Sequence, residues 1–540
     1  MSRARSAFVL VLSVLVATFA ARPSTQQFGA IAFPTSGAAS AQTAFLTGVK
    51  ALHNFQFDEA AVAFQEAEKA DPSFAMAYWG EAMSHNHPLW AQQDVPKAKA
   101  ALEKLGATHA ARRAKATLPK EQAFLDAQDV LYFGAGDKLA RDIAYSNAMA
   151  RMYEQWPDDH EVATFYALSL LGSVRPGDAG FRRQALAASI VEKIFAANPN
   201  HPGAAHFIIH AFDDPDHAPL ALDAANAYAK IAPSAAHALH MPSHIYVQRG
   251  MWERVAASNV DAYKAATELN AKMKLPEGRE DFHTLGWLAY AHAMLGKHDE
   301  AKKDVDLAKA AADRNPQNGA IRDGWLGMRA RYIQESARWE KFDLPAEAPA
   351  AGADQHAGMP GMPGMAMPGN SMGVSDGAAS WIYIVGVSAA KLGDRATADA
   401  ALARLTAIRE KAAAGPNAYA ARPHAIREKE LAAIIRAAAG QRDQAVALAK
   451  EAADIEQTMA APSGPPEPIK PAFEPTASCS RRPAVTPRPR PRSSRRCCAR
   501  RTARRRCRDW PPRARRREAR TSRSARRRAS IGRVGCAQPR

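Results

Sequence analysis

The stretch HPGAAHFIIHAFDDPDHAPLALDAANAYAKIAPSAAHALHMPSHI, residues 201–245, contains two histidine pairs of identical spacing. His206 and His210 are four residues apart, as are His240 and His244, and the second pair follows the first by 34 residues. A spacing of four brings two side chains onto one face of a helix. A 34-residue shift matches one helical-hairpin repeat, and stacked helices pack about 8–10 Å apart. The pattern predicts stacked hairpins whose four imidazoles face one another.

The composition around this stretch indicates an all-α protein. Residues 42–478 are rich in alanine, lack long alternating runs of β-branched residues and contain no cysteine. Such a composition favours helices throughout. The missing cysteines exclude thiolate catalysis and cysteine-type zinc sites from this part of the chain.

Further repeat signals lie on both sides of residues 201–245. Ala60, Phe64, Ala67 and Pro72 have the spacing of a second repeat helix and its terminal proline, and WLAYAHAMLGKHDEA marks another repeat at residues 287–301. Further small-residue and proline markers are Gly48, Pro199, Pro233, Gly393, Ala398, Gly440 and Ala445. On these motifs, most of residues 43–458 resembles the tetratricopeptide-repeat family.

The resemblance implies a right-handed α-solenoid of helical hairpins, with a concave groove lined by the first helix of each hairpin. IHAFDDP and HALHMPSHI, within residues 201–252, are similar to stretches of exported bacterial members of this family, for which no activity is assigned. The resemblance therefore implies a binding scaffold with a dedicated site, and a protein or peptide ligand in the groove.

First-helix positions in such a fold carry a set of candidate metal ligands. Imidazole is a common ligand of zinc, copper, nickel and iron, and a carboxylate can complete or orient the ligand shell. The candidates are His206, His210, His237, His240, His244, His283 and Asp213. The sequence leaves open which metal binds, and the alternative is that these histidines pack between helices or contact a polar peptide.

Two shorter features accompany this set. Pro242 falls between His240 and His244, where a proline either strains a helix or lies harmlessly near a helix start. The segment SHNHPLW places His85 and His87 where they can chelate a metal or cap a helix. Together with Trp79, these histidines are predicted to line one end of the groove.

A methionine-rich insert is a separate candidate for soft metals. The segment HAGMPGMPGMAMPGNSMG alternates glycine and proline with ligand side chains, so it is predicted to be a flexible insert between hairpins. Thioether sulfur favours Cu(I). The candidate ligands are His356, Met359, Met362, Met365 and Met367.

A metal-dependent, hydrolase-like enzyme that uses the same histidines with Asp213 or Asp214 as base is the alternative function. The chain has no HExxH motif, no GxSxG motif and no phosphate-binding glycine loop. These absences favour a binding protein over an enzyme.

The two ends of the chain differ from its middle. Arg3 and Arg5 precede an apolar run, residues 7–20, that is too short to span a bilayer, and Ala39-Ser40-Ala41 has the form of a signal-peptidase site. Cleavage is predicted after Ala41, with a position near Ala20 as the alternative. The mature protein is then expected to be periplasmic or extracellular, without a transmembrane segment.

Residues 479–540 contain 24 arginines, two acids and all five cysteines. They contribute +22, so the rest of the chain carries −4 of the total +18. This tail is interpreted either as a disordered basic arm that binds nucleic acid or, preferably, as a frameshifted GC-rich reading frame. No nucleic-acid partner is expected unless the tail is genuine.

The predicted organisation is therefore a signal peptide, a histidine-rich solenoid, an insert, further hairpins, a proline-rich linker and the tail. The respective ranges are 1–41, 42–345, 346–376, 377–458, 459–478 and 479–540.

Overall fold

The computed structural model describes residues 27–175, 178, 180–275, 281–345, 376–415 and 418–466. Most residues in these ranges are helical. The α-helices are α1 Ala39–His53, α2 Phe57–Ala70, α3 Ala75–Met83, α4 Val95–Leu105, α5 His109–Arg113, α6 Pro119–Phe133, α7 Lys138–Gln155, α8 His160–Gly172, α9 Arg182–Ala197, α10 Pro202–Ala211, α11 Leu222–Ile231, α12 Ala236–His240, α13 Pro242–Gln248, α14 Trp252–Lys272, α15 Phe282–Met294, α16 His298–Arg314, α17 Gly319–Ser336, α18 Asp376–Leu392, α19 Arg395–Ala413, α20 Arg422–Ala438 and α21 Arg442–Glu456.

Short elements complete the described chain. Three 3-10 turns span Pro88–Trp90, Ala218–Ala221 and Ala418–Ala421. Two strands of two residues each, β1 Asn86–His87 and β2 Gln92–Gln93, pair antiparallel around the first of these turns.

Helices that follow one another in the chain pack against each other. Examples of such pairs are α1 with α2, α8 with α9, α15 with α16 and α20 with α21, and each hairpin also contacts the next along the chain. Each hairpin thus buries its apolar face mainly against sequence neighbours, which is the defining property of a solenoid. The prediction of an all-α solenoid of helical hairpins is confirmed.

Small residues allow the helices of a hairpin to approach closely. Gly48 and Gly80 both lie against the ring of Phe64, where an added Cβ would come within 2.8 Å and 2.2 Å of ring carbons. Ala60 and Ala67 are fully buried on the same helix. Larger side chains at these positions would overpack the interface.

Residues 27–38 pack onto the helical body ahead of α1. Phe28 and Phe33 are 1% and 3% exposed, and the Ser36 hydroxyl donates to Glu121 Oε2 at 2.7 Å. The predicted cleavage site after Ala41 therefore falls inside packed structure, within α1. Cleavage near Ala20, the alternative, would leave these contacts in place.

The described part of the predicted proline-rich linker lies against the helices. Gln248 donates to the Pro462 carbonyl at 2.8 Å, and Arg331 donates to the Pro466 carbonyl at 3.1 Å. The Ala460 amide donates to the hydroxyl of Tyr419 at 3.1 Å. Residues 459–466, named here the C-terminal segment, thus contact three different helical regions.

Several predictions fall outside the described residues. These are the apolar run of the signal peptide, the methionine-rich insert with its candidate ligands, and the arginine-rich tail. Among the residues that the structure does describe, none of the helices is both long enough and apolar enough to cross a membrane.

Candidate metal centre

Three successive hairpins supply the histidines that the sequence singled out. Helix α10 carries His206 and His210, α12 carries His237 and His240, and α13 and α15 carry one each, His244 and His283. Each of these helices precedes its hairpin partner, α11, α14 or α16, in the chain. These six histidines therefore lie on the first helices of their hairpins, whereas Asp213 lies beyond the end of α10.

The pair His240/His244 is divided between two short helices. Helix α12 ends at His240 and α13 begins at Pro242, but Met241 between them keeps helical angles of φ −55° and ψ −35°. Pro242 lies in the first turn of α13, where its missing N–H would have no helical partner. The interpretation of Pro242 as harmless near a helix start is therefore favoured, and the four-residue spacing of the histidines survives the break.

The first histidine set consists of His206, His210 and His237. His206 Nε2 lies 3.0 Å from Nε2 of His210 and 3.0 Å from Nε2 of His237. His206 is fully buried and the other two are partly buried. Three imidazole nitrogens thus converge on one point.

The second histidine set consists of His240, His244 and His283. His240 Nε2 lies 3.0 Å from Nε2 of His244 and 2.8 Å from Nε2 of His283. His240 and His244 are buried, and His283 is partly buried. The second set therefore repeats the arrangement of the first.

Contacts on the opposite ring nitrogens fix where the protons lie. His240 Nδ1 is 2.7 Å from Asn259 Oδ1, whose amide nitrogen donates to the Val255 carbonyl at 2.7 Å. His244 Nδ1 is 2.5 Å from Asp213 Oδ2. Because both oxygens accept, each ring carries a proton on Nδ1, and the neutral form of His240 therefore has an unprotonated Nε2.

His206 is oriented in the same way. Its Nδ1 lies 2.7 Å from the carbonyl oxygen of His53, which can only accept a hydrogen bond. Its Nε2 is therefore an unprotonated nitrogen that faces the rest of the first set. A metal-binding histidine usually donates the N–H of its other ring nitrogen to a carbonyl, amide or carboxylate oxygen.

Burial keeps these rings neutral. Desolvation, followed by the neighbouring histidines, holds the pKa of His206, His210, His237 and His283 well below the usual value. The same causes lower the pKa of His240 to about 3. At neutral pH these rings are therefore uncharged, and their free nitrogens are able to bind a cation.

Aromatic rings enclose both sets. Phe55 packs against the first set, with its ring centroid 4.4 Å from that of His206 and 5.3 Å from that of His237. Trp287 packs against the second set, 4.4 Å from the ring of His244. Phe55 adopts a left-handed conformation, φ 54°, just after α1, and the Gln56 amide donates to the Ala51 carbonyl, a common way for a helix to end.

Asp213 is the acid that the structure brings to the second set. Its Oδ2 accepts from His244, and its Oδ1 is buried without a hydrogen-bond partner in the described structure. Asp214 instead contacts Nδ1 of His217, at 2.8 Å. The structure thus separates the two acids that the sequence offered as equivalent.

A third group, absent from the sequence-based predictions, joins His53, Glu161 and His201. Glu161 lies 2.7 Å from His53 Nε2 and 3.1 Å from His201 Nε2, and all three side chains are buried. The Ala204 amide donates to His201 Nδ1, so His201 donates to Glu161 through Nε2. Burial alone would raise the pKa of Glu161, but the two imidazoles lower it to about 2. The Glu161 carboxylate thus contacts both imidazoles, whereas His53 Nδ1 is buried without a hydrogen-bond partner in the described residues.

Trp79, His85 and His87 are predicted to line one end of the groove. The prediction is wrong for Trp79, and the two histidines are partly buried. Trp79 is fully buried among Phe33, Phe124 and Phe165, because its helix α3 packs against α6. His87 lies in β1 and its ring is 4.0 Å from that of Phe57. Burial lowers the pKa of His87 to about 4.

His85 is also partly buried, and its pKa is lowered mainly by desolvation. Neither His85 nor His87 belongs to a group of converging ligand atoms in the described chain.

His206 and His240, the central rings of the two histidine sets, are at most 2% exposed. They therefore do not face open solvent, as residues that line a groove would.

Several residues that support the site gave no signal in the sequence. His53, Glu161, Asn259, Phe55 and Trp287 lie outside the 34-residue pattern. Of these five residues, Glu161 alone has a local signal, because it is an acid within the apolar sequence HEVATFYALSLLG of α8.

No model of a known protein family matches this chain, and no curated protein matches it. Among solved structures it is similar to a Rap protein complexed with competence and sporulation factor, at 13% identity over 70% of this chain and 99% of that one, with a TM-score of 0.34. It is also similar to the APC/C hetero-tetramer Cut9–Hcn1, at 12% identity over 83% and 78% of the two chains, with a TM-score of 0.35.

A third similar structure is the TPR domain of P58(IPK), at 12% identity over 82% of this chain and 100% of that one, with a TM-score of 0.23. These weak likenesses support no inference about function. The helices and the site define the class directly: a helical-repeat protein with a buried, histidine-rich cluster.

Proposed function

We propose that this protein is a transition-metal-binding α-solenoid, in which the two histidine sets are the metal ligands. The contact between His240 Nε2 and His244 Nε2 carries the proposal. His240 carries its proton on Nδ1, facing Asn259 Oδ1, and turns an unprotonated Nε2 toward His244 Nε2 at 3.0 Å. A metal cation bound by both Nε2 atoms would account for this close approach.

The donor set limits the kind of metal. Three imidazoles per set suit zinc, copper, nickel or iron and are unsuited to calcium or magnesium, which prefer oxygen ligands. A set of three protein ligands also leaves a coordination position for water or another small ligand. The identity of the metal within this group stays open.

Two further parts of the proposal derive from the sequence alone. The predicted export signal would place the metal outside the cytoplasm, and the predicted groove would offer a protein or peptide partner a surface on the same scaffold. Both remain predictions.

The test is the metal content of the full chain, purified without a polyhistidine tag, by inductively coupled plasma mass spectrometry. We expect zinc, copper, nickel or iron to copurify, or to bind on titration of chelator-treated protein. His240→Ala should lose metal, since it removes the ring at the centre of the second set. His217→Ala is the matched control, because His217 pairs with Asp214 outside both sets.

Protein that takes up none of these metals would refute the proposal, as would His240→Ala protein with unchanged metal content. Circular dichroism shows whether the variant folds. If His240→Ala does not fold, the partly buried His283 provides the second variant, His283→Ala, with the same expected loss.

A further inference from the structure

The two histidine sets lie side by side. The ring centroids of His210 and His244 are 6.2 Å apart, and those of His237 and His240 are 6.3 Å apart. These pairs each join one set to the other. Within the first set, the rings of His210 and His237 are also 6.2 Å apart. The spacings between the sets are therefore close to the longest spacing within a set, and the six rings form one continuous cluster.

Helix α12 links the sets covalently. His237 and His240 are three residues apart on this short helix, so they project from neighbouring positions of one face. His237 belongs to the first set and His240 to the second. Each set therefore takes one of its rings from α12.

The hydrogen-bond partners of the six rings include one carboxylate among the described residues. Among the described residues, Asp213 is the carboxylate that contacts a ring of the cluster, His244 of the second set, and its Oδ1 has no hydrogen-bond partner there. The other direct supports, the His53 carbonyl and the Asn259 amide, are neutral. Two divalent ions this close repel strongly in a buried site, and an anion between them would relieve the repulsion.

We propose that the two histidine sets form a single dinuclear centre, whose two transition-metal ions share a small bridging anion such as hydroxide. This inference rests on the proposed metal-binding function. Two-metal sites in proteins hold their ions about 3.5–4 Å apart, where one ligand atom contacts both. Partly buried His210, His237 and His283 leave the cluster accessible to a ligand of this size.

Copper is the most informative probe, because two Cu(II) ions that share a bridging atom couple magnetically and lose their ordinary electron paramagnetic resonance signal. The full chain is freed of metal, loaded with Cu(II) and analysed for copper content and for integrated spin. We expect about two copper ions per chain, with an integrated signal several-fold below the copper content.

Variants that remove one set provide the matched comparison. His206→Ala disrupts the first set and His283→Ala the second, and each should halve the copper content while restoring the full signal of the remaining ion. His217→Ala should behave as wild type. If fully buried His206 is needed for folding, the partly buried His210 offers His210→Ala as a substitute with the same expected result.

The outcomes separate this inference from the proposed function. About two copper ions with full, uncoupled signals would mean two independent sites, which overturns the dinuclear centre and leaves metal binding intact. If one copper ion binds and either variant abolishes its binding, the two sets share a single site. That result would also overturn the dinuclear centre. No bound copper, zinc, nickel or iron would overturn both.

Discussion

At the residue scale, the site depends on which nitrogen of each imidazole carries the proton. Three rings have their Nδ1 held by an oxygen: His206 by the His53 carbonyl, His240 by Asn259, and His244 by Asp213. None of these oxygens belongs to the helix that carries the ring it orients. Because each holds the proton on Nδ1, the Nε2 nitrogens are prepared to bind a cation without rearrangement.

Asp213→Asn should weaken metal binding by about 10–100-fold, the usual effect of losing such a support. Asparagine can still offer an oxygen to His244, but it removes the negative charge that stabilises the metal-bound ring. The measurement is a competitive metal titration against a chromophoric chelator. Asp214→Asn is the matched control, since Asp214 lies next in the chain and pairs with His217 instead. Equal affinities of the two variants would contradict the assigned role of Asp213.

At the element scale, short helices allow three hairpins to contribute to one cluster. Helices α12 and α13 together span only residues 236–248, and they place their three histidines between α10 and α15. The C-terminal segment packs against Trp287 of α15. An added Cβ at Gly464 would lie 2.5 Å from Cζ2 of Trp287, whose ring contacts His244.

Gly464→Val should therefore displace the C-terminal segment, because the valine side chain would occupy the space of the Trp287 ring. Overpacking of this kind costs about 1–3 kcal/mol, enough to detach a short terminal segment. Limited proteolysis followed by mass spectrometry measures the rate of cleavage within residues 459–466. Gly319→Val serves as the control, since an added Cβ at Gly319 meets nothing within 4 Å. Identical cleavage of Gly464→Val and wild type would show that the segment does not pack on Trp287 in solution.

At the scale of the whole molecule, the helices share two main apolar cores. The larger core extends from Phe28 to Ala291, and the second extends from Leu285 to Ile435. The histidine cluster is embedded in the larger core and adjoins the second through α15. Solenoids couple mainly between neighbouring repeats, so a ligand should stabilise the repeats it joins more than distant ones.

Metal binding is accordingly expected to protect α10–α15 from hydrogen exchange and to leave α18–α21 little changed. A free metal concentration about 100 times Kd stabilises a single site by about 2.7 kcal/mol, which slows exchange from opened states about 100-fold. Hydrogen–deuterium exchange mass spectrometry of metal-loaded and metal-free protein measures both regions at once. Uniform protection of the whole chain would argue against this local coupling, and no protection of α10–α15 would argue against binding at the histidines.

Much of the fold follows from local pattern. Alanine-rich amphipathic segments, closely spaced small residues and prolines at a 34-residue interval predict stacked helical hairpins, and that architecture is observed. The same periodicity identified His206, His210, His240 and His244 as neighbours. It could not identify Trp79 as a core residue, because exposure depends on which later helices cover a given face.

The sequence by itself determined the helical repeats and the histidines that share a face, since both follow from the 3.6-residue period of a helix. Only the tertiary structure decided how six histidines divide into two sets of three and which oxygens orient them. His206 depends on a carbonyl 153 residues away, and His244 depends on a carboxylate 31 residues away. The physical reason is that a helix fixes the direction of its own side chains, whereas the packing of distant helices selects the atoms that those side chains meet.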